Sequence, residues 1–121
     1  MNPEVKSKWV TALRSGKYKQ GTGQLALENG DGSTAFCCLG VLCDLAVKEG
    51  KIEEFNPESG YQPNEVGEWA GFAPEPEAKF NNDEWDRMKE EYQNWPPRKL
   101  AEMNDEGQPF TAIADYIEEN L

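Results

Sequence analysis

The chain has no histidine. That absence removes the most common zinc ligand and the usual general base, so neither a thiol–imidazole pair nor a Ser-His arrangement can be assembled. Long apolar runs are also missing, and none approaches the roughly eighteen residues needed to cross a bilayer. The opening Met1-Asn2-Pro3-Glu4-Val5-Lys6 lacks the charged-then-apolar pattern of a secretory leader, which points to a cytoplasmic protein. Cysteine is scarce and odd in number, at Cys37, Cys38 and Cys43, so a disulfide framework is not expected. Positive charge is sparse as well: 12 Lys and Arg face 23 Asp and Glu, a net −11. Such a field repels nucleic acid and anionic membranes over most of the surface.

What is present suits one domain, residues 1–121, with a single core. Thirteen aromatic residues, four of them Trp, supply large anchors despite an apolar fraction of only 37%. Charge is segregated. Residues 1–19 carry Lys6, Lys8, Arg14, Lys17 and Lys19 against Glu4, a balance of +4 that leaves −15 for the rest.

Asn2-Pro3-Glu4 is a strong helix start, combining a side-chain cap, proline at the first position and an acid at the positive end of the dipole. Val5, Trp9 and Leu13 then form one apolar stripe, and Ser15-Gly16 ends the helix. Gly21 and Gly23 open an alternating stretch in which Leu25 and Leu27 are expected on one face. Asn29-Gly30-Asp31-Gly32 turns the chain and Thr34-Ala35-Phe36 returns, which reads as a β-hairpin. A helix from about Cys37 or Cys38 to Lys48 is apolar on nearly all sides, as befits a central element. Its polar wedge holds Gly40, Asp44, Lys48 and, at the margin, Cys37.

Residues 49–63 form a polar connection. Pro63 starts a short helix with Val66, Trp69 and Ala70 inward and Gly71 as its cap. A second linker spans Ala73–Glu77. From Asn82 a helix places Trp85, Met88, Tyr92 and Trp95 on one side and is stopped by Pro96-Pro97. Leu100 to Asn104 adds one further turn, and Phe110, Ile113, Ala114, Ile117 and Leu121 mark a last helix. The expected fold is α+β and mainly α, with four or five short helices around the Cys-rich helix and one hairpin.

Several segments together carry a resemblance. They are Lys8–Gly21 (with Trp9 and Leu13-Arg14-Ser15-Gly16), Phe36-Cys37-Cys38-Leu39-Gly40-Val41-Leu42-Cys43-Asp44-Leu45-Ala46, Glu65–Phe72, Met103-Asn104-Asp105-Glu106-Gly107-Gln108-Pro109-Phe110, and Ile113-Ala114-Asp115. In this order the chain resembles a family of small proteins found widely in bacteriophage and prophage genomes, with residues 73–98 as a variable insert. The resemblance carries over no catalytic residue. It implies an accessory gene product acting in the host bacterial cytoplasm, of a kind that binds and redirects a host factor, including components of anti-phage defence.

Candidate sites follow from residue chemistry. Three cysteines fall short of the four ligands of a structural zinc, and on a helix Cys38 and Cys43 diverge by about 140°. No metal or cofactor is expected. Cys37, near a helix N-terminus with Asp44 on its face, is the one candidate nucleophile and defines an alternative reading as a small cysteine-dependent enzyme. Lys17-Tyr18-Lys19-Gln20-Gly21-Thr22-Gly23 with Arg14 is the most suggestive polar segment. It is basic, has an aromatic ring, and ends in glycines whose N–H groups approach anions closely, so a phosphorylated small ligand is a candidate partner.

The acidic residues Asp83, Glu84, Asp86, Glu90 and Glu91 form a solvated face that matches a basic surface on a host protein. Asn29–Gly32 is too short for a calcium loop. Residues 106–114 echo the start of a helix-turn-helix, yet the chain ends at Leu121 without a recognition helix, so direct nucleic-acid binding is not expected. A homo-oligomeric scaffold, with Trp85, Tyr92 and Trp95 as exposed contacts, is the remaining alternative. The leading expectation is a non-enzymatic accessory protein that binds and inhibits or sequesters a host factor.

Overall fold

A computed structural model describes residues 1–76 and 89–121. Helix α1 (Pro3–Arg14) begins as its sequence dictates: the Asn2 side chain accepts from the Glu4 N–H at 3.0 Å, and Pro3 occupies the first turn, where no N–H is needed. Its Val5, Trp9, Val10 and Leu13 are buried. Three short strands follow, β1 (Lys19–Gln20), β2 (Ala26–Glu28) and β3 (Thr34–Phe36), in sheet order β1-β3-β2. Then come α2 (Cys38–Lys48), α3 (Asn64–Ala70), α4 (Pro96–Asp105) and α5 (Phe110–Asn120), with residues 89–94 also helical. The architecture is mainly α with a small β part.

The core is one cluster that draws Val5, Trp9 and Leu13 of α1, most of α2, Val66 and Ala70 of α3, Leu100 of α4 and Ile113 and Ile117 of α5. Full burial of a Leu or Ile side chain contributes about 1.5–3 kcal/mol, and Leu39, Leu42, Leu100, Ile113 and Ile117 all reach it. Helix α2 sits among the others, and the Trp9 indole N–H donates to the Cys38 carbonyl at 2.9 Å.

Four expectations need correction. The hairpin forms, with Ala26 opposite Phe36 and Glu28 opposite Thr34, but Leu25 and Leu27 do not share a face. Leu25 is fully buried outside the ladder, where its N–H donates to Ser59 and its carbonyl accepts from Cys37. Leu27 is 45% exposed. Alternation holds only where strand pairing holds, and here the ladder begins one residue late. Second, β1 joins the sheet in parallel with β3, with Lys19 opposite Ala35 and Gln20 opposite Phe36, so the sheet has a third strand.

Third, Gly40 belongs to the buried surface of α2 and not to its polar wedge. A Cβ there would lie 1.9 Å from the Leu25 carbonyl oxygen, so the bare backbone is what lets the helix approach the chain just before β2. Fourth, Pro96-Pro97 opens a full ten-residue helix, where only a turn over Leu100–Asn104 was expected. Proline before a helix and proline after one look alike in sequence, and here Trp95 is the N-cap.

Asn104, completely buried near the end of α4, ties these elements together. Its Nδ2 donates to the Gly21 carbonyl at 2.7 Å, and its Oδ1 accepts from the Cys38 N–H and from Gln20 Nε2, both at 3.1 Å. One side chain thus joins β1, the start of α2 and α4.

Candidate functional site

The outer face of α1 and the C-terminal end of α2 enclose an open groove of about 410 Å³. Lys8 and Thr11 on α1 and its C-cap Ser15 recur at helical spacing, which sets them on one side of the helix. Lys17 and Tyr18 come from the connection after α1, and Lys48 from the last turn of α2; all of them line the groove, over a partly apolar floor of Ala12 and Leu45.

Tyr18 organises this end. Its ring meets Phe36 edge-on with centroids 5.3 Å apart, and its hydroxyl donates to Asp44 Oδ2 at 2.5 Å. Lys48 Nζ donates to the Tyr18 oxygen at 3.1 Å and pairs with Asp44 at 3.0 Å. Burial, and then the Asp44 bond, push the Tyr18 phenol above its ordinary pKa. The bond to Tyr18, reinforced by Asp44, raises that of Lys48. Lys8 is paired with Glu49, which raises its pKa in turn. Lys17 makes no ion pair among the described residues. Three ammonium groups therefore face one groove, with Asp44 and Glu49 offsetting part of their charge.

The rest of the basic segment is directed elsewhere. Arg14 reaches across to α5, where its guanidinium bonds Asp115 and Glu118 at 2.6 Å each. Lys19 is exposed on β1. Gln20 bonds Asn104 and the Gln108 carbonyl. The glycine N–H groups read as anion donors are engaged, Gly21 with the Phe36 carbonyl at 2.8 Å and Gly23 with Asp105 Oδ1 at 3.0 Å. They hold the fold together and are not offered to a ligand. Of the expected ligand-binding residues, the structure brings together Lys17 and Tyr18, and it adds Lys8 and Lys48.

The chain belongs to the DUF8296 family. The match to that family, described as a domain of unknown function, covers residues 1–121. No curated protein and no solved structure matches the chain.

In this DUF8296 chain Cys37 is not the activated thiol that its place before α2 suggested. It is 4% exposed, and its Sγ accepts from the Gly40 N–H at 3.3 Å as the helix cap. Burial pushes its pKa up, outweighing the lowering effect of the backbone donors, and Asp105 adds to the rise. Asp44, its supposed companion, is committed to Tyr18 and Lys48. Cys38 and Cys43 are buried, with thiols pushed up further. No group of three or more Cys, Asp or Glu among the described residues is placed to hold a metal ion.

Of the acidic residues expected at a partner surface, Glu90 and Glu91 are exposed, while Asp83, Glu84 and Asp86 lie outside the described residues. Trp95 is no exposed contact: it is 4% exposed, and its indole N–H donates to the Ala73 carbonyl at 2.8 Å. Tyr92 is half-buried, with its hydroxyl donating to Tyr61. Trp85 lies outside the described residues. No helix among the described residues is long and apolar enough to cross a membrane.

Proposed function

We propose that this chain is a non-enzymatic accessory protein of the bacteriophage type, which sequesters a small phosphorylated ligand of the host bacterium, a nucleotide, in the Lys8–Lys17–Lys48 groove. The observation that carries the reading is the convergence of three lysines on one groove in a chain whose net charge is −11. A phosphate dianion competes with Glu49 and Asp44 for the ammonium groups and meets Lys17, which has no carboxylate to displace among the described residues. The hydroxyls of Ser7 and Thr11 add donors along the same wall, while Tyr18, Ala12 and Leu45 supply apolar surface for a base or sugar. All three thiols are buried and burial raises their pKa values, which supports binding rather than turnover as the activity proposed.

The test is a thermal-shift titration of the whole chain with mono-, di- and cyclic nucleotides. A bound nucleotide raises the melting temperature with concentration, as linkage requires. Lys17→Ala weakens that response by about tenfold, the equivalent of one charge-assisted hydrogen bond, and added salt weakens it further. A flat response across the panel at millimolar concentration overturns the proposal.

A further inference from the structure

Asn29-Gly30-Asp31-Gly32 carries the chain from β2 to β3. The Asn29 carbonyl accepts from the Gly32 N–H at 3.1 Å and the Asn29 N–H donates to the Ser33 carbonyl at 2.8 Å, which leaves Gly30 and Asp31 at the tip of the turn. Gly30 is exposed, and its N–H makes no hydrogen bond among the described residues. Asn29 is partly exposed, and its Nδ2 donates at the surface to Ser33 Oγ at 3.1 Å, a bond that water can replace. Of the asparagines in the chain, Asn29 alone precedes a glycine.

We infer that Asn29-Gly30 is a self-modification site, at which the folded chain converts the Asn29 amide into a carboxylate and thereby loosens the β2–β3 hairpin. Asparagine amides are chemically labile, and ring closure needs a following backbone nitrogen that is free to approach. The Gly30 nitrogen attacks Asn29 Cγ: an N–Cγ bond forms, the Cγ–Nδ2 bond breaks, and Nδ2 leaves as ammonia with the Gly30 proton. Water then opens the cyclic imide. Breaking the new bond gives aspartate, breaking the original peptide bond gives isoaspartate, and the nitrogen regains a proton in either case. Glycine has no side chain to obstruct the approach.

The neighbouring Asp31-Gly32 has the same spacing but is protected twice. Its nitrogen is committed to the Asn29 carbonyl. The Ser33 hydroxyl and N–H, at 2.6 and 3.0 Å, hold the Asp31 carboxyl below its ordinary pKa, so it seldom carries the proton its oxygen needs in order to leave. In the isoaspartate form at position 29 the backbone runs through the former side chain. The carbonyl that held the Gly32 N–H then lies outside the main chain, and the turn opens.

The experiment incubates the whole chain at physiological temperature and mildly alkaline pH and follows it by peptide-level mass spectrometry, with a urea-unfolded sample as reference. The folded chain loses ammonia at Asn29 and accumulates both aspartate and isoaspartate there, while Asp31 stays as it is. Gly30→Ala slows the conversion by roughly tenfold or more, equivalent to about 1.4 kcal/mol of barrier. That variant folds normally, since the Gly30 backbone lies outside the left-handed region and an added Cβ meets open space. Amide exchange at residues 29 and 32 quickens in the isoaspartate fraction. An Asn29 that stays intact in the folded chain while the unfolded reference converts overturns the inference, as does an unchanged rate in Gly30→Ala. Isoaspartate gathering at Asp31 as fast as at Asn29 overturns the protection assigned to Ser33, and unchanged exchange in the isoaspartate fraction overturns the loosening of the hairpin.

Discussion

Two carboxamides are buried among the described residues, and they are used in opposite ways. Asn104 spends both ends of its amide on the protein, one donor bond to Gly21 and two accepted bonds from Cys38 and Gln20. Gln62 makes no side-chain bond among the described residues and keeps a buried acceptor unmet. Burial is nearly equal, yet the energetic meaning differs in sign. A satisfied buried amide fixes the elements that share it, because each of its partners would be stranded without it. An unsatisfied one weakens the protein that holds it.

The largest expected effect comes from breaking the satisfied side. Asn104→Ala strands the Cys38 N–H and the Gly21 carbonyl in the interior and leaves a cavity beside them, so stability falls by about 3 kcal/mol. Urea unfolding, with the slope unchanged, measures it. A loss below about 1 kcal/mol would mean that the three bonds are worth no more than those of one exposed side chain.

The other side of the comparison changes sign. Gln62→Met keeps the volume, gives up no hydrogen bond and removes a desolvated acceptor, so the free protein gains about 1 kcal/mol. The same urea experiment reads it. A loss of stability of that size would place a hidden donor on Oε1 and erase the contrast with Asn104.

Neither amide was legible as such in the sequence, for reasons that differ. Asn104 sits in a run of turn-forming residues, and its partners are 66 and 83 or more positions away in the chain, beyond any local pattern. Gln62 lies in a polar connection where burial leaves no periodic trace. By contrast α1 was readable in full, because cap, proline and apolar stripe are all local. The two-residue β1 was invisible, since Lys19 and Gln20 carry no strand signature and are held by pairing with β3. In the groove, Lys17 and Tyr18 stood out as a basic aromatic pair, while Lys8 and Lys48 join them only through the packing of α1 on α2. Cys37 misled because two local rules competed: the helix start lowers a thiol pKa and burial raises it, and burial prevailed.

The smallest expected effect lies in the groove and separates amides, which do not titrate, from a hydroxyl that does. Tyr18 holds its proton more tightly in the folded chain than in the unfolded one, first through burial and then through Asp44. Its contribution is therefore complete below the unfolded pKa of about 10 and is lost as pH rises through the higher folded value. Lys48, raised by the same contact, runs in the same direction. Tyr18→Phe removes the Asp44 bond and lowers stability by about 0.5 kcal/mol at pH 8, a small figure because the site is partly solvated. That gap narrows as pH rises above the unfolded value of about 10 and the wild-type phenol ionises. Tyr61, also raised, is common to both proteins and cancels in the difference. Paired denaturation curves at each pH, read beside tyrosinate absorbance, measure the gap. A gap that stays constant through the phenol titration would place the Asp44 bond outside the folding equilibrium and leave Tyr18 as a packing residue. The Asn104→Ala deficit, by comparison, carries no such pH dependence, because a carboxamide has no proton to lose in that range.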